Sequence, residues 1–127
     1  MNTDEHGLDR LTENIIGCSY SVSNTLGTGF LERVYENSLA HELRKAGSVV
    51  EQQKGIAVRY DGIIVGEYVA DLVVDQAVIV EVKTAKALDS GHVAQCLNYL
   101  RATGLKVSLL INFGQPKVEV KRVTNYS

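Results

Sequence analysis

Asp71 is followed ten positions later by Glu81-Val82-Lys83, so two carboxylates and an amine stand within one short stretch. Carboxylates of this kind hold divalent cations, and a lysine beside them can position or polarise a water. The chemistry this set suits is metal-assisted hydrolysis, with a phosphodiester as the leading substrate class. It works only if the chain folds so that the three side chains converge.

The flanking residues suggest how. Residues 63–74 and 77–83 are rich in Val and Ile and surround the turn-prone Asp75-Gln76, which predicts two antiparallel strands. On the second strand Ala77, Ile79, Glu81 and Lys83 share one face, and the Glu81 and Lys83 side chains stand roughly 6–7 Å apart along it. The loop sets the rest. With Asp75, Gln76 and Ala77 in the loop, Val74 pairs with Val78 and Asp71 lies opposite Glu81, with Cβ atoms about 4.5–5.5 Å apart. A two-residue loop pairs Asp71 with Val80 and sends the carboxylates to opposite faces. Facing carboxylates among Val and Ile repel each other and are costly to bury, and a hard cation such as Mg²⁺ between them relieves both penalties. The plainer reading of Glu81 and Lys83 is the exposed polar end of a strand.

A helix is predicted over residues 89–103, with Val93, Leu97 and Leu100 on one stripe and Gly104 as its stop. His92, Gln95, Cys96 and Tyr99 fall on the neighbouring stripe. Gln95 can hydrogen-bond a lysine or a phosphate oxygen, and Tyr99 can donate to a phosphate.

Taken together, Asp71, Glu81-Val82-Lys83 and Gln95-Cys96-Leu97-Asn98-Tyr99 resemble the D…E-x-K and Q-x-x-x-Y elements of the PD-(D/E)XK nuclease superfamily, in its RecB-like branch. Upstream, Gly29-Phe30-Leu31-Glu32-Arg33-Val34-Tyr35 is similar to the G-x-x-E-x-x-Y element of the GxxExxY family within it. The resemblance runs from about Leu11 to Val123 and includes Leu109-Leu110-Ile111-Asn112-Phe113-Gly114. It implies a restriction-endonuclease-like core and a nuclease acting on DNA or RNA with Mg²⁺, for which Mn²⁺ can substitute. It also implies Glu32, Asp71, Glu81 and Val82 at the metal, Lys83 at the attacking water, and Gln95 and Tyr99 orienting Lys83 or the phosphate. One element departs from the family pattern. Where the family often has a Val-His pair before L-G-P-G, this chain reads Val22-Ser23-Asn24-Thr25-Leu26-Gly27-Thr28-Gly29. The missing Pro alters only loop stiffness. The missing imidazole matters more, because Ser23 cannot act as an acid, base or metal ligand in its place.

Composition fits one domain over residues 1–127: 45% of the residues are hydrophobic, enough for a real core. No apolar run approaches about 18 residues and the first ten are polar, so the chain is expected to be cytoplasmic, with no membrane partner. Cys18 and Cys96 lack zinc-ligand spacing and read as buried free thiols, and His6, His41 and His92 are scattered. Net charge is −2, with no Lys/Arg run of the kind that marks a self-sufficient nucleic-acid binder. Residues 101–127 nevertheless hold Arg101, Lys106, Lys117, Lys121 and Arg122 against only Glu119. Folding is expected to gather these into a strip beside the site, with Lys121 and Arg122 on the substrate and a homodimer or partner protein adding further contacts.

Helices are predicted over residues 8–26 and 31–46, strands at 56–60, 106–111 and 118–123, and a hairpin turn at Asp61-Gly62. The order α-α-β-β-β-α-β-β predicts a three-layer α/β/α arrangement around a mixed sheet. Two function classes fit: a small metal-dependent nuclease, or a nuclease-fold domain of weak catalysis serving as a nucleic-acid-binding or assembly module. A third fit is an α/β domain that binds a small acidic ligand.

Overall fold

The computed structural model describes residues 5–126. Its helices are α1 (Glu5–Leu26), α2 (Glu32–Lys45) and α3 (Ser90–Thr103), and its strands are β1 (Val50–Tyr60), β2 (Ile63–Val74), β3 (Val78–Lys83), β4 (Val107–Asn112) and β5 (Glu119–Thr124). The chain order is the predicted one. The strands lie in sequence order across one sheet, and only β3 and β4, joined through α3, run parallel.

Strand alternation divides the core in two. Val78, Val80 and Val82 of β3 pack with Leu8, Ile15 and Val22 of α1 and with Tyr35, Leu39 and Leu43 of α2. Ile79 of the same strand packs on the opposite side with Cys96, Tyr99 and Leu100 of α3. These are the three layers. All six residues of β4 are buried, as expected of a strand covered on both faces.

The hairpin that carries the acidic residues has the odd loop. Val74 pairs with Val78, Asp75 and Gln76 adopt φ of 52° and 54°, and the Asp75 carboxylate accepts from the Val49 N–H at 2.7 Å. Asp61 and Gly62 both take positive φ, as the tight turn between β1 and β2 requires. β1 begins at Val50 rather than at the predicted Ile56. Its first half, Val50-Glu51-Gln52-Gln53-Lys54, is too polar to read as a strand, yet it pairs with the long β2 from an edge position where polar side chains meet water.

Two clamps fix the ends of the elements near β3. Tyr35, fully buried and stacked on Phe113 with centroids 4.9 Å apart, donates its hydroxyl to the Gly27 carbonyl at 2.6 Å and accepts from the Phe30 N–H at 3.3 Å. It ties the loop before α2 to the core and so sets where Glu32 begins the helix. Asn112, at the end of β4, accepts from the Ala85 and Gly114 N–H groups and donates to the Ala85 carbonyl and to Glu119, while the Phe113 N–H reaches the Lys83 carbonyl at 2.8 Å. A Cβ on Gly114 would stand 2.4 Å from the Ala85 carbonyl oxygen, so only glycine fits. Gly114→Ala is therefore expected to cost about 1–3 kcal/mol, the scale of a backbone shift forced by overpacking, read as a lower midpoint in chemical denaturation.

Among the described residues no helix is long and apolar enough to cross a membrane. Cys96 is buried as expected, whereas Cys18 is only partly so. Burial pushes both thiols up, which keeps them protonated and unreactive at neutral pH.

Candidate active site

Regular pairing of β2 with β3 ends at Leu72 opposite Val80. One residue further on, side chains replace the ladder. The Asp71 N–H donates to Glu81 Oε2 at 2.7 Å, and the Val82 N–H donates to Asp71 Oδ2 at 2.8 Å. The register is thus the one that sets Asp71 against Glu81, but the carboxylates fill a fork between parting strands instead of facing each other across a regular ladder. Glu81 is 3% exposed and Asp71 half-buried. Burial first, and then the Asp71 charge, push the Glu81 carboxyl up to about 8, with Glu32 adding to the rise and the Asp71 N–H and Lys83 opposing it. With no cation present, Glu81 therefore holds a proton at neutral pH.

Lys83 leaves the fork toward α3. Its Nζ donates to Gln95 Oε1 at 3.4 Å, and Gln95 Nε2 donates to the Tyr99 hydroxyl at 3.0 Å. The helical spacing of Gln95 and Tyr99 is what allows one amide to serve both neighbours. Burial and the Glu81 charge raise the Tyr99 pKa, so its phenol stays protonated with an O–H free to donate. His92, on the same predicted stripe, instead caps α3: its N–H donates to Asp89 and its Nδ1 accepts from the Asp89 N–H.

A family model of the PD-(D/E)XK nuclease superfamily matches residues 9–123. The chain belongs to the PD-(D/E)XK nuclease superfamily. No curated protein and no solved structure matches it. PD-(D/E)XK nucleases generally use divalent metals. The fit here rests on two carboxylates, since among the described residues no group of three or more His, Cys, Asp or Glu is arranged to hold a cation. Mg²⁺ needs no more than one or two carboxylates with waters and phosphate oxygens, and an acid pair with one member buried and its pKa raised is a site that a cation would neutralise.

The other PD-(D/E)XK candidates divide. Glu32, exposed in the first turn of α2, is close enough for its charge to raise the Glu81 pKa. Val82 points its side chain into the core with α1 and α2 and offers the fork only backbone. Lys121 is exposed on β5, in the lateral row that runs from Glu81 through Leu110. Two strand spacings, about 10 Å, separate it from β3. Arg122 is engaged elsewhere: its guanidinium pairs with Asp9 at 2.8 Å and reaches Thr12 and Tyr126, which ties β5 to α1. The expected basic strip is reduced by that pairing.

Glu36 and Gln53 belong to the site region and were not singled out by the motifs. Glu36 is 3% exposed; its Oε2 accepts from Gln52 at 2.9 Å and its Oε1 from Gln53 at 2.8 Å. Gln53 Nε2 also stands 3.4 Å from Asp71 Oδ1, so one amide links α2 to the fork. Consecutive residues of a regular strand point to opposite faces, and both amides reach Glu36 because Gln53 takes φ of +52° and interrupts β1 opposite Asp71. The signal was present in the sequence: Glu36 sits in register with Leu39, Ala40 and Leu43, a carboxylate on an otherwise apolar face. Gln53→Gly suits that backbone conformation and removes only the amide. It is expected to weaken metal-dependent stabilisation by about tenfold in metal concentration, the scale for groups that orient ligands, read against each protein's own metal-free Tm because the buried Glu36 also loses a donor.

Proposed function

We propose that this protein is a Mg²⁺-dependent nuclease of the GxxExxY type, a single nuclease-like domain that hydrolyses phosphodiester bonds of DNA or RNA, with Mn²⁺ able to substitute. The observation that carries the reading is the fork, where Asp71 and Glu81 converge beside the line Lys83–Gln95–Tyr99. Asp71 and Glu81 are the metal ligands, assisted by Glu32 and the Val82 backbone. A divalent cation held there would supply positive charge at the scissile phosphate and would make a neighbouring water more acidic. Lys83 holds the attacking water and offsets charge as it develops on the phosphoryl oxygens. Gln95, accepting from Lys83, fixes the direction of the ammonium, and Tyr99 donates its O–H to a phosphate oxygen. Water oxygen forms the new bond to phosphorus as the ester P–O bond breaks, the water's proton passes to solvent, and the leaving alkoxide takes a proton from solvent.

The second reading, a catalytically weak nuclease-fold module that binds nucleic acid or assembles with a partner, is favoured by Ser23 standing where the family often has His and by the net charge of −2. A titration of Mg²⁺ and Mn²⁺ in nicking assays on single- and double-stranded DNA and RNA separates them. Metal-dependent cleavage lost in Asp71→Asn supports the nuclease; binding without cleavage at every metal concentration supports the module.

A further inference from the structure

A cavity of about 560 Å³ opens between the β1–β2 hairpin and α3, lined by Arg59 and Tyr68 on the hairpin and by Asn98, Tyr99 and Arg101 on the helix. Its volume is that of a small-molecule or single-nucleotide site. No carboxylate lines it, and neither arginine forms an ion pair among the described residues, although the chain as a whole is acidic. Tyr68 is 53% exposed, its ring tilted 48° against Tyr99 with centroids 5.8 Å apart, so aromatic surface is open to the cavity. Asn98 accepts from Arg101 at 3.4 Å, which leaves its NH₂ group to donate. The pairing of β1 with β2 shifts between Val58 and Arg59, an irregularity of the kind that re-aims side chains beside functional sites. Tyr99 belongs both to this cavity and to the hydrogen-bonded line that ends at Lys83, so the cavity and the fork share a side chain.

An aromatic face, two unpaired guanidinium groups and a free amide donor together match one chemical object. That object is a nucleotide whose base is out of the stack. The base needs a π-face to lie on, its edge needs a donor, and its phosphates need cations. A paired duplex offers no free base face to Tyr68. We propose that this cavity is a binding site for an unstacked nucleotide of single-stranded nucleic acid, with the base on Tyr68 and the flanking phosphates on Arg59 and Arg101. The inference rests on the nuclease reading for where the strand leads, and it makes single strands or frayed ends the substrate class.

The test is fluorescence anisotropy in EDTA with end-labelled oligothymidylate and oligouridylate of roughly twelve nucleotides, within the span of known single-strand sites, against a blunt duplex of equal length. Wild type is expected to bind a single strand at least about tenfold more tightly than the duplex. Tyr68→Ala is expected to weaken single-strand binding about tenfold, the scale of one lost base stack, while Tyr68→Phe retains it. Arg59→Ala with Arg101→Ala should flatten the salt slope by about 0.7 for each phosphate contact removed. Equal binding of duplex and single strand, an unchanged affinity in Tyr68→Ala, or no binding of any oligonucleotide would overturn the proposal. The two readings fail separately. If Tyr68-dependent binding persists while metal stabilisation and cleavage are absent, the cavity stands and the nuclease falls; cleavage that depends on Lys83 but is indifferent to Tyr68 and to both arginines leaves the nuclease and removes the cavity.

Discussion

Lys83→Ala is expected to lower metal-dependent cleavage by about a hundredfold or more, the scale seen when one positioned donor to developing charge is lost. The side chain is half-buried at the end of β3 and held by a single long hydrogen bond to Gln95, so its removal leaves no large void and unpairs only one amide oxygen. Stability should change by well under the effect on rate. Gln95→Ala keeps the amine and loses its orientation, so its deficit should be smaller. Single-turnover cleavage, measured with Tm for each variant, checks the ranking; full cleavage by Lys83→Ala would place the chemistry elsewhere.

Glu81→Gln should reverse the usual sense of an active-site substitution. In the metal-free protein the folded-state carboxyl titrates at about 8 against an ordinary value of 4.5, so between those pH values the folded chain binds more protons than the unfolded one. Stability therefore falls as pH rises through that window and stays low above it. At about 1.4 kcal/mol per unit the full effect is a few kcal/mol. Glutamine keeps an oxygen for the Asp71 N–H and cannot ionise. In EDTA near pH 9 the variant should accordingly be more stable than wild type by up to about 5 kcal/mol, and near pH 4 the difference should vanish. Mg²⁺ or Mn²⁺ should stabilise wild type by mass action and leave Glu81→Gln and Asp71→Asn unmoved. Denaturation curves across pH, with and without metal, decide it: identical pH dependence in the two proteins, or equal metal stabilisation of all three, would refute the site.

Much of this arrangement was legible because it depends on period and turn chemistry. The Val and Ile content of residues 63–74 beside a turn gave β2 its observed limits, and Asp75-Gln76-Ala77 left a three-residue loop that sets Asp71 in register with Glu81. Helical spacing brought Gln95 to Tyr99. What could not be read depends on departures from regularity. A left-handed Gln53 inside an edge strand has no local signature, so its link between Glu36 and Asp71 stayed hidden, as did the true start of β1. Ending the β2–β3 ladder at Leu72 is likewise a matter of the whole sheet's shape rather than of any residue near the fork. Arg122 shows the converse. Counting charges placed it in a basic strip, but Asp9, distant in sequence, claims it across the α1 interface.

The fork also bears on how such sequences are judged. Asp71 and Glu81 stand in for the missing rungs between β2 and β3, each carboxylate capping a backbone N–H that the parting strands leave without a carbonyl. Left bare, those partly buried amides would each cost about 1–3 kcal/mol. Selection on folding alone therefore has reason to retain an acceptor oxygen at both positions, carboxylate or amide, in a descendant that no longer cuts anything. Lys83, Tyr68 and the two groove arginines cap no backbone and seal no strand end. Their loss, together with amides in place of the two carboxylates, would record the moment at which a lineage of this fold gave up its chemistry.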